Sequence, residues 1–219
     1  MKIIVIVKEI YNTENKLVLN RNNEIDQSNM GYAVNIYDEY ALEEAIKLRE
    51  EFGGEVVIYS VCREEALDTY RYIMAMGIDR DILVKSDLKD SKNISEILSE
   101  TIMQNDSDFD LILGGWAGID RNNGQVPGRL SQILDLPLIN IVTKLDVNGK
   151  KLLCEREGET AKEIIETTFP ALVTVQRGIN IPRRPTAHNL MEPITSKISF
   201  IPSLHVEVKG DLELSYEYQ

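Results

Sequence analysis

The sequence has few residues of the kinds that bind transition metals or form disulfides. Its 219 residues include two cysteines, Cys62 and Cys154, and two histidines, His188 and His205. The cysteines lie outside any C-x-x-C spacing, so we expect two reduced thiols that pack as small hydrophobic groups. With so few candidate ligands, the sequence predicts no metal site.

Long apolar runs and an excess of positive charge are also missing. No run reaches the roughly 18 apolar residues of a membrane span, and the first residues, MKIIVIVKEI, lack the basic flank and cleavage site of a signal peptide. The chain carries 36 acidic and 24 basic residues, a net charge of -12, which repels phosphate backbones and anionic membranes. We therefore expect a cytoplasmic protein that neither spans a membrane nor binds nucleic acid.

The first half of the chain alternates strand and helix patterns. Short β-branched runs, KIIVIV, EVVIYSV, DILVKS and FDLILGG, are separated by helical spacings. This alternation predicts an α/β fold with a Rossmann-like parallel sheet flanked by helices. In the first helix pattern, Asp38 is the candidate N-cap and Gly53 the candidate stop.

The pattern changes in the second half. The Asn148-Gly149 pair between two strand-like runs predicts an antiparallel hairpin, and KEIIETTF and ALVTVQ predict further strands. The alternating residues of LHVEVKGDLELSYEY suit a terminal hairpin or a strand offered to a partner. We expect a single domain over residues 1–219 with an antiparallel β extension, of which about 195–219 form a projecting tail or hairpin.

A glycine-rich stretch follows one of the predicted strands directly. FDLIL opens onto GGWAGIDRNNGQVPGRLSQIL, residues 114–134. Ligands of open parallel sheets bind beyond the carboxyl ends of the strands, glycines let the backbone approach a ligand, and a helix beginning near Gln125 would direct N–H groups at a phosphate. The same composition also suits a tight βα turn without a ligand. Neither a P-loop nor a G-x-G-x-x-G pattern is present.

One resemblance rests on this stretch alone. Gly115, Gly118 and Gly128 match the G-x2-G-x9-G spacing of the universal stress proteins, whose fold binds ATP on such a loop. Arg129 follows the last glycine, where that pattern has Ser or Thr. This resemblance implies an alternative function, a nucleotide-binding regulatory module that forms homodimers and contains no flavin.

A second resemblance covers nearly the whole chain. The segments NIYDEYALEEAIKL, YIMAMGIDR, AGIDRNNGQV, CEREGETAKEIIETTFPALVTV and NIPRRPTAHNLM resemble those of electron transfer flavoprotein β subunits, in the same order. The resemblance implies an adenine-nucleotide-binding fold and a heterodimer with an α subunit. It also implies FAD shared with α, AMP or a second FAD in a pocket of the β subunit, and a flavin dehydrogenase as redox partner. Such a subunit carries electrons and has no bond-making catalysis of its own.

The resemblance also implies which residues form the two sites. The nucleotide pocket would contain Ile6, Asn35, Ile36, Tyr37, Asp38, Cys62, Gly115, Gly118, Asp120, Asn123, Gly124, Gln125 and Val126. The partner-binding loop would contain Arg183, Thr186, Ala187, His188, Asn189 and Leu190, with Ala187 where the family presents a leucine to acyl-CoA dehydrogenases. We expect Asn35 to bond an adenine edge and the Gln125 and Val126 amides to face a phosphate.

The loop sequence leaves the identity of the nucleotide open. AMP-binding members read roughly N-Q-T-G and electron-bifurcating members A-Q-V-G-P, whereas this chain reads Gly124-Gln125-Val126-Pro127-Gly128. Val126 lacks the hydroxyl that would help to hold an AMP phosphate, and the order of Pro127 and Gly128 breaks the bifurcating pattern. The broken pattern favours AMP slightly over a second FAD.

Overall fold

The computed structural model describes residues 1–12, 18–19, 21, 23, 31–86, 88–191 and 200–202. The strands are β1 (Lys2–Ile6), β2 (Glu9–Tyr11), β3 (Tyr32–Val34), β4 (Glu55–Cys62), β5 (Arg80–Lys85), β6 (Leu111–Gly115), β7 (Leu138–Asn148), β8 (Lys151–Glu157), β9 (Lys162–Thr168), β10 (Ala171–Val175) and β11 (Phe200–Pro202). The helices are α1 (Ile36–Phe52), α2 (Leu67–Ala75), α3 (Ser91–Asn105), α4 (Gln125–Ile133) and α5 (Ala187–Met191), and a 3₁₀ turn, Glu64–Ala66, precedes α2.

The main sheet has nine strands in the order β11-β5-β4-β1-β6-β10-β7-β8-β9, and β2 and β3 form a separate antiparallel pair. From β11 to β7 all neighbours are parallel. β8 and β9 continue from β7 as antiparallel strands. The predicted α/β class, with a parallel sheet and an antiparallel extension, is confirmed.

Two hydrophobic cores cover the two faces of the sheet. Ile3 and Val5 of β1 pack with α1 and α2, whereas Ile4 and Ile6 pack with α3 and α4. Successive residues of a strand point to opposite faces, so a strand buried on both faces needs apolar residues at every position. This requirement explains the continuous β-branched run at residues 3–7.

The predicted hairpin is present, because Asn148 at the end of β7 pairs with Lys151 at the start of β8. Gly149 has a φ of +62°, which suits a residue without a side chain. β10 does not extend this antiparallel unit. It lies between β6 and β7, parallel to both, and all its residues are buried.

The prediction that Asp38 caps α1 is wrong. The helix begins at Ile36, with Asn35 at the cap position, and Asp38 lies in the first turn. The Asp38 carboxylate accepts hydrogen bonds from the amides of Lys8 and Gly115, which lie outside the helix. The side chain therefore joins α1 to the sheet instead of closing its own helix.

Part of the predicted carboxyl-terminal tail lies in the main sheet. Phe200–Pro202 pairs with β5 as a parallel edge strand. The other residues of 195–219, including those of the predicted terminal hairpin, lie outside the described residues. Among the helices of the described ranges, none has both the length and the apolar content that a membrane crossing needs.

Candidate functional site

A cleft of about 410 Å³ opens at the carboxyl ends of the parallel strands. The chain runs from β1 outward to β4 and β5, and then returns through α3 to β6 on the other side of β1. The cleft is therefore at the topological switch point of the sheet, where loops diverge and ligands of open α/β sheets bind.

Most of the predicted pocket residues line this cleft. They are Ile6, Asn35, Asp38, Gly115, Gly118, Asp120, Asn123, Gly124, Gln125 and Val126. Ile36, Tyr37 and Cys62 are not in the lining. The structure thus brings together residues from β1, the start of α1 and the glycine-rich loop.

The three exceptions face other parts of the molecule. Cys62 is 1% exposed and packs in the core beside α1 and α2, because the strand alternation directs its neighbours Val61 and Arg63 to the cleft instead. The Tyr37 ring packs at an angle on Trp116, with centroids 5.3 Å apart. Ile36 is exposed at the start of α1.

Asn35 is buried and holds the glycine-rich loop in place. Its Nδ2 donates to Asp38 Oδ1 at 3.0 Å and to the Ala117 carbonyl at 2.9 Å. Its Oδ1 accepts from the Ile119 amide at 3.2 Å. Because both N–H groups are used inside the chain, Asn35 positions the loop, and its bond to an adenine edge stays a prediction.

Asp38 connects the ends of two neighbouring strands. Its Oδ2 accepts from the Lys8 amide at 2.7 Å, just beyond β1, and its Oδ1 accepts from the Gly115 amide at 2.9 Å, at the end of β6. Burial raises the pKa of Asp38 to about 7, an effect that the hydrogen bonds from Lys8, Asn35 and Gly115 partly offset.

Two glycines allow the loop to pass close to these groups. A Cβ atom at Gly115 would lie 2.4 Å from Asp38 Oδ1, and one at Gly118 would lie 2.7 Å from Asp120 Oδ1. Real Cβ contacts are not this short. A side chain at Gly115 would also meet the Tyr37 backbone and forces the loop away from α1, whereas at Gly118 the ends of the Asp120 and Lys8 side chains would have to move. Two of the three glycines in the spacing noted in the sequence, Gly115 and Gly118, therefore reflect close packing around the cleft, whereas Gly128 has space for a side chain.

The amino terminus of α4 lies in the lining of the cleft. Gly124 occupies the cap position with a φ of +56°, and among the residues that the structure describes no side chain caps the helix. The amides of Gln125 and Val126 lie in its first turn, and Pro127 has no N–H to offer. α3 differs, because Asp90 accepts hydrogen bonds from its first-turn amides.

Basic side chains line the same cleft. The Lys8 ammonium contacts both carboxylate oxygens of Asp120, at 2.5 and 2.7 Å. Lys89 lies in the lining, and Arg121 donates to its carbonyl at 2.7 Å. Lys8 was not among the predicted pocket residues, although its position directly after a buried strand placed it at the carboxyl edge of the sheet.

The predicted partner-binding segment is fixed to α1 by Arg183. The guanidinium forms ion pairs with Glu43 at 2.9 Å and with Glu50 at 2.6 Å. Asn180 adds a hydrogen bond to the Tyr40 carbonyl at 3.0 Å. Arg183, predicted as a contact for a partner, is therefore engaged within the chain.

The following residues form α5 and dock on α2. The Thr186 hydroxyl accepts from the Asn189 amide, and Asn189 Nδ2 donates to the Ala75 carbonyl at 3.1 Å. Ala187, His188 and Leu190 are exposed. Thr186 is exposed as well, so four of the six predicted partner residues present their side chains to solvent.

No metal site stands out in the part of the chain that the structure describes. It contains no group of three or more His, Cys, Asp or Glu side chains placed to hold a metal ion. Cys62 and Cys154 are buried free thiols. Burial raises the pKa of each thiol to about 12, which makes both poor nucleophiles and poor metal ligands near neutral pH.

Comparisons with known proteins give one consistent result. A family model described as "Electron transfer flavoprotein domain" matches residues 23–198. The chain is 40% identical over 196 residues to the electron transfer flavoprotein subunit beta of Bacillus subtilis (strain 168), covering 88% of this chain and 75% of that protein. It is 33% identical over 193 residues to the subunit of the same name from Syntrophomonas wolfei, covering 87% and 75%. It is also 30% identical over 188 residues to Protein FixA of Azotobacter vinelandii, covering 82% and 67%.

Proposed function

The chain belongs to the electron transfer flavoprotein family, and we propose that it is a β subunit that binds an adenine nucleotide in the cleft. Membership of this family argues against the alternative of a universal stress protein, which rested on three glycines of one loop. We further propose that the chain forms a heterodimer with an α subunit and shares its FAD. A cytoplasmic location stays a prediction of the sequence.

The observation that carries the proposal is the uncapped start of α4 inside the cleft. The Gln125 and Val126 amides supply N–H donors where the helix dipole favours an anion. The Lys8 ammonium lies in the same lining, held by Asp120. A phosphate bound to the amides gives Lys8 a second acceptor, so these residues suit the phosphate end of a nucleotide.

The size of the cleft favours AMP over a second FAD. Its volume of about 410 Å³ lies toward the lower end of the range of about 300–1,000 Å³ that small-molecule sites span. A mononucleotide needs much less space than a dinucleotide. The broken bifurcating pattern at Pro127 and Gly128 points the same way.

The proposed mechanism of this chain is positional. FAD, when bound by the complex, supplies the electron-accepting and electron-donating chemistry. The chain itself holds the nucleotide through α4 and Lys8, and fixes the loop around it through Asn35 and Asp38. It presents the exposed residues of α5 to a flavin dehydrogenase, and we propose no bond-making catalysis for it.

Nucleotide extraction from the complex tests the proposal. The full chain is co-expressed with an electron transfer flavoprotein α subunit, purified as one complex, denatured, and its nucleotides identified by mass spectrometry. We expect one FAD and one AMP per heterodimer. Two FAD per heterodimer would show that a second flavin occupies the cleft in place of AMP. One FAD and no other nucleotide would show that the cleft binds no nucleotide.

A pair of lysine variants links the nucleotide to the cleft. Lys8→Gln removes the ammonium from the lining, and we expect the complex to retain less AMP during dialysis. Lys47→Gln is the matched control, because Lys47 pairs with Glu44 on α1 and lies outside the cleft lining. Equal AMP retention in the two variants contradicts the proposed phosphate site.

A further inference from the structure

An aromatic wall lines the cleft on the side of β4. It consists of Tyr11 from β2 and Tyr32 from β3, whose rings stack with centroids 5.4 Å apart and an interplanar angle of 27°. The two strands pair antiparallel, with Tyr11 opposite Tyr32. Neither residue belongs to the segments that carry the family resemblance to a nucleotide site.

Arg63 fixes this wall to the main sheet. Its Nη1 donates to the hydroxyls of Tyr11 at 2.9 Å and Tyr32 at 3.1 Å. Its guanidinium carbon lies 5.7 Å from the centroid of the Tyr11 ring, and its amide donates to the Glu9 carboxylate at 3.3 Å. A guanidinium that bonds both hydroxyls and faces one ring holds the two rings in a fixed orientation.

The chemistry of the wall suits a planar ligand more than an anion. The Glu9 carboxylate accepts from the Arg63 main-chain amide, so a negative charge lies close to this end of the cleft and makes it less suited to a phosphate than the end at α4. The tyrosine rings and the guanidinium are flat surfaces on which a base can stack. The uncapped amides and Lys8 lie instead at the β6 and β1 side.

The strands that lead to the two ends of the cleft, β4 and β6, are separated by one strand. Arg63 follows β4, the α4 amides follow the loop after β6, and β1 lies between the two strands. Neighbouring strands are about 4.8 Å apart, which separates β4 from β6 by about 10 Å. A nucleotide spans such a distance from its base to its phosphate.

We propose that Tyr11, Tyr32 and Arg63 form the base-binding wall of the cleft, with the base stacked against them and the phosphate on the α4 amides. This assignment rests on the proposed nucleotide site. It makes the three residues determinants of specificity, because only a ligand with an aromatic base gains from the wall. A sugar phosphate without a base uses the phosphate end alone.

The test compares AMP with ribose 5-phosphate on the full chain, by calorimetry. Tyr11→Leu and Tyr32→Leu remove the stacking face, and we expect each to weaken AMP binding about tenfold while ribose 5-phosphate binding stays unchanged. Tyr11→Phe keeps the ring and should keep the AMP affinity within about threefold of the unmodified chain. Lys8→Gln should weaken both ligands together.

Tyr72→Leu serves as the control for losing a partly buried tyrosine, because Tyr72 lies on α2 outside the cleft lining. An unchanged ratio of AMP to ribose 5-phosphate affinity in the Tyr11 and Tyr32 leucine variants overturns the base assignment, including the case in which both affinities fall in parallel. If the unmodified chain binds none of AMP, FAD and ribose 5-phosphate, the proposed nucleotide site fails and the base assignment fails with it.

Discussion

The Gly115 amide donates a hydrogen bond to Asp38 Oδ1 at 2.9 Å, across 77 residues of sequence. The other oxygen of the same carboxylate accepts from the Lys8 amide at 2.7 Å. Since Lys8 follows β1 and Gly115 ends β6, one buried side chain of α1 holds both strand ends at the switch point. The loop that lines the cleft therefore starts from a fixed position.

Gly115→Ala should disturb both stability and the cleft. The added Cβ would lie 2.4 Å from Asp38 Oδ1 and 2.8 Å from the Tyr37 carbonyl carbon, so the backbone has to move. We expect the free energy of unfolding in urea to fall by about 1–3 kcal/mol, with weaker AMP binding. Gly128→Ala is the control. Gly128 lies in α4, and a Cβ atom there would meet only Leu138, at 4.0 Å. The substitution should leave stability unchanged or raise it by up to about 1 kcal/mol. Equal losses in the two variants would contradict the prediction.

Asp38 should make stability depend on pH. Burial raises its pKa from 3.8 to about 7, so the folded chain keeps a proton that the unfolded chain releases. The stability that this proton contributes is full below about pH 4 and is lost as the pH rises to about 7. We predict that the unmodified chain loses on the order of a few kcal/mol relative to Asp38→Asn over this range, as measured by urea unfolding at several pH values. A constant difference from pH 4 to pH 7 would show that Asp38 does not titrate there.

Local patterns in the sequence were sufficient for most elements of the fold. The β-branched runs and the Asn148-Gly149 pair are signals between residues that are adjacent in sequence. They predicted the parallel strands and the hairpin correctly. The place of β10 was different, because a run of apolar residues predicts a strand but not its neighbours. Its burial on both faces and its insertion between β6 and β7 are set by the whole sheet.

The site was predictable where one continuous loop forms it. The glycine-rich stretch and the start of α4 lie in the cleft as their sequence indicated. Tyr11 lies in β2, Tyr32 in β3 and Arg63 directly after β4, so they meet only in the folded chain and no local pattern marks them. Asp38 has the residue type of a helix cap, yet its partners are distant in sequence.

Ala187 should limit which dehydrogenases donate electrons to the complex. It is exposed as the first residue of α5, where the family resemblance implies a leucine that enters a pocket of the partner. Losing a buried leucine contact costs about 2–5 kcal/mol in protein cores. We therefore predict slow flavin reduction by an acyl-CoA dehydrogenase, and faster reduction with Ala187→Leu at unchanged thermal stability. Efficient reduction of the unmodified complex would show the prediction to be wrong.

Arg183 and Arg184 are adjacent arginines with opposite surroundings. Arg183 pairs with Glu43, whose side chain is 8% exposed, and with Glu50, while Arg184 is exposed. Arg183→Leu leaves the Glu43 carboxylate without its guanidinium partner. Since Arg183 itself is one-third exposed, we expect a loss of about 1–3 kcal/mol in the free energy of unfolding.

The loss should also free the segment that carries α5. Without the Arg183 ion pairs, the segment is anchored mainly by Asn180 and Asn189. We expect thermolysin to cleave Arg183→Leu faster than the unmodified chain near residues 181–190. Arg183→Lys should recover only part of the stability, because an ammonium cannot bond both carboxylates as the guanidinium fork does. Arg184→Leu is the control and should change the free energy of unfolding by no more than about 0.5 kcal/mol. Equal losses of stability and equal cleavage rates in the two leucine variants would show that the ion pairs of Arg183 do not anchor the segment.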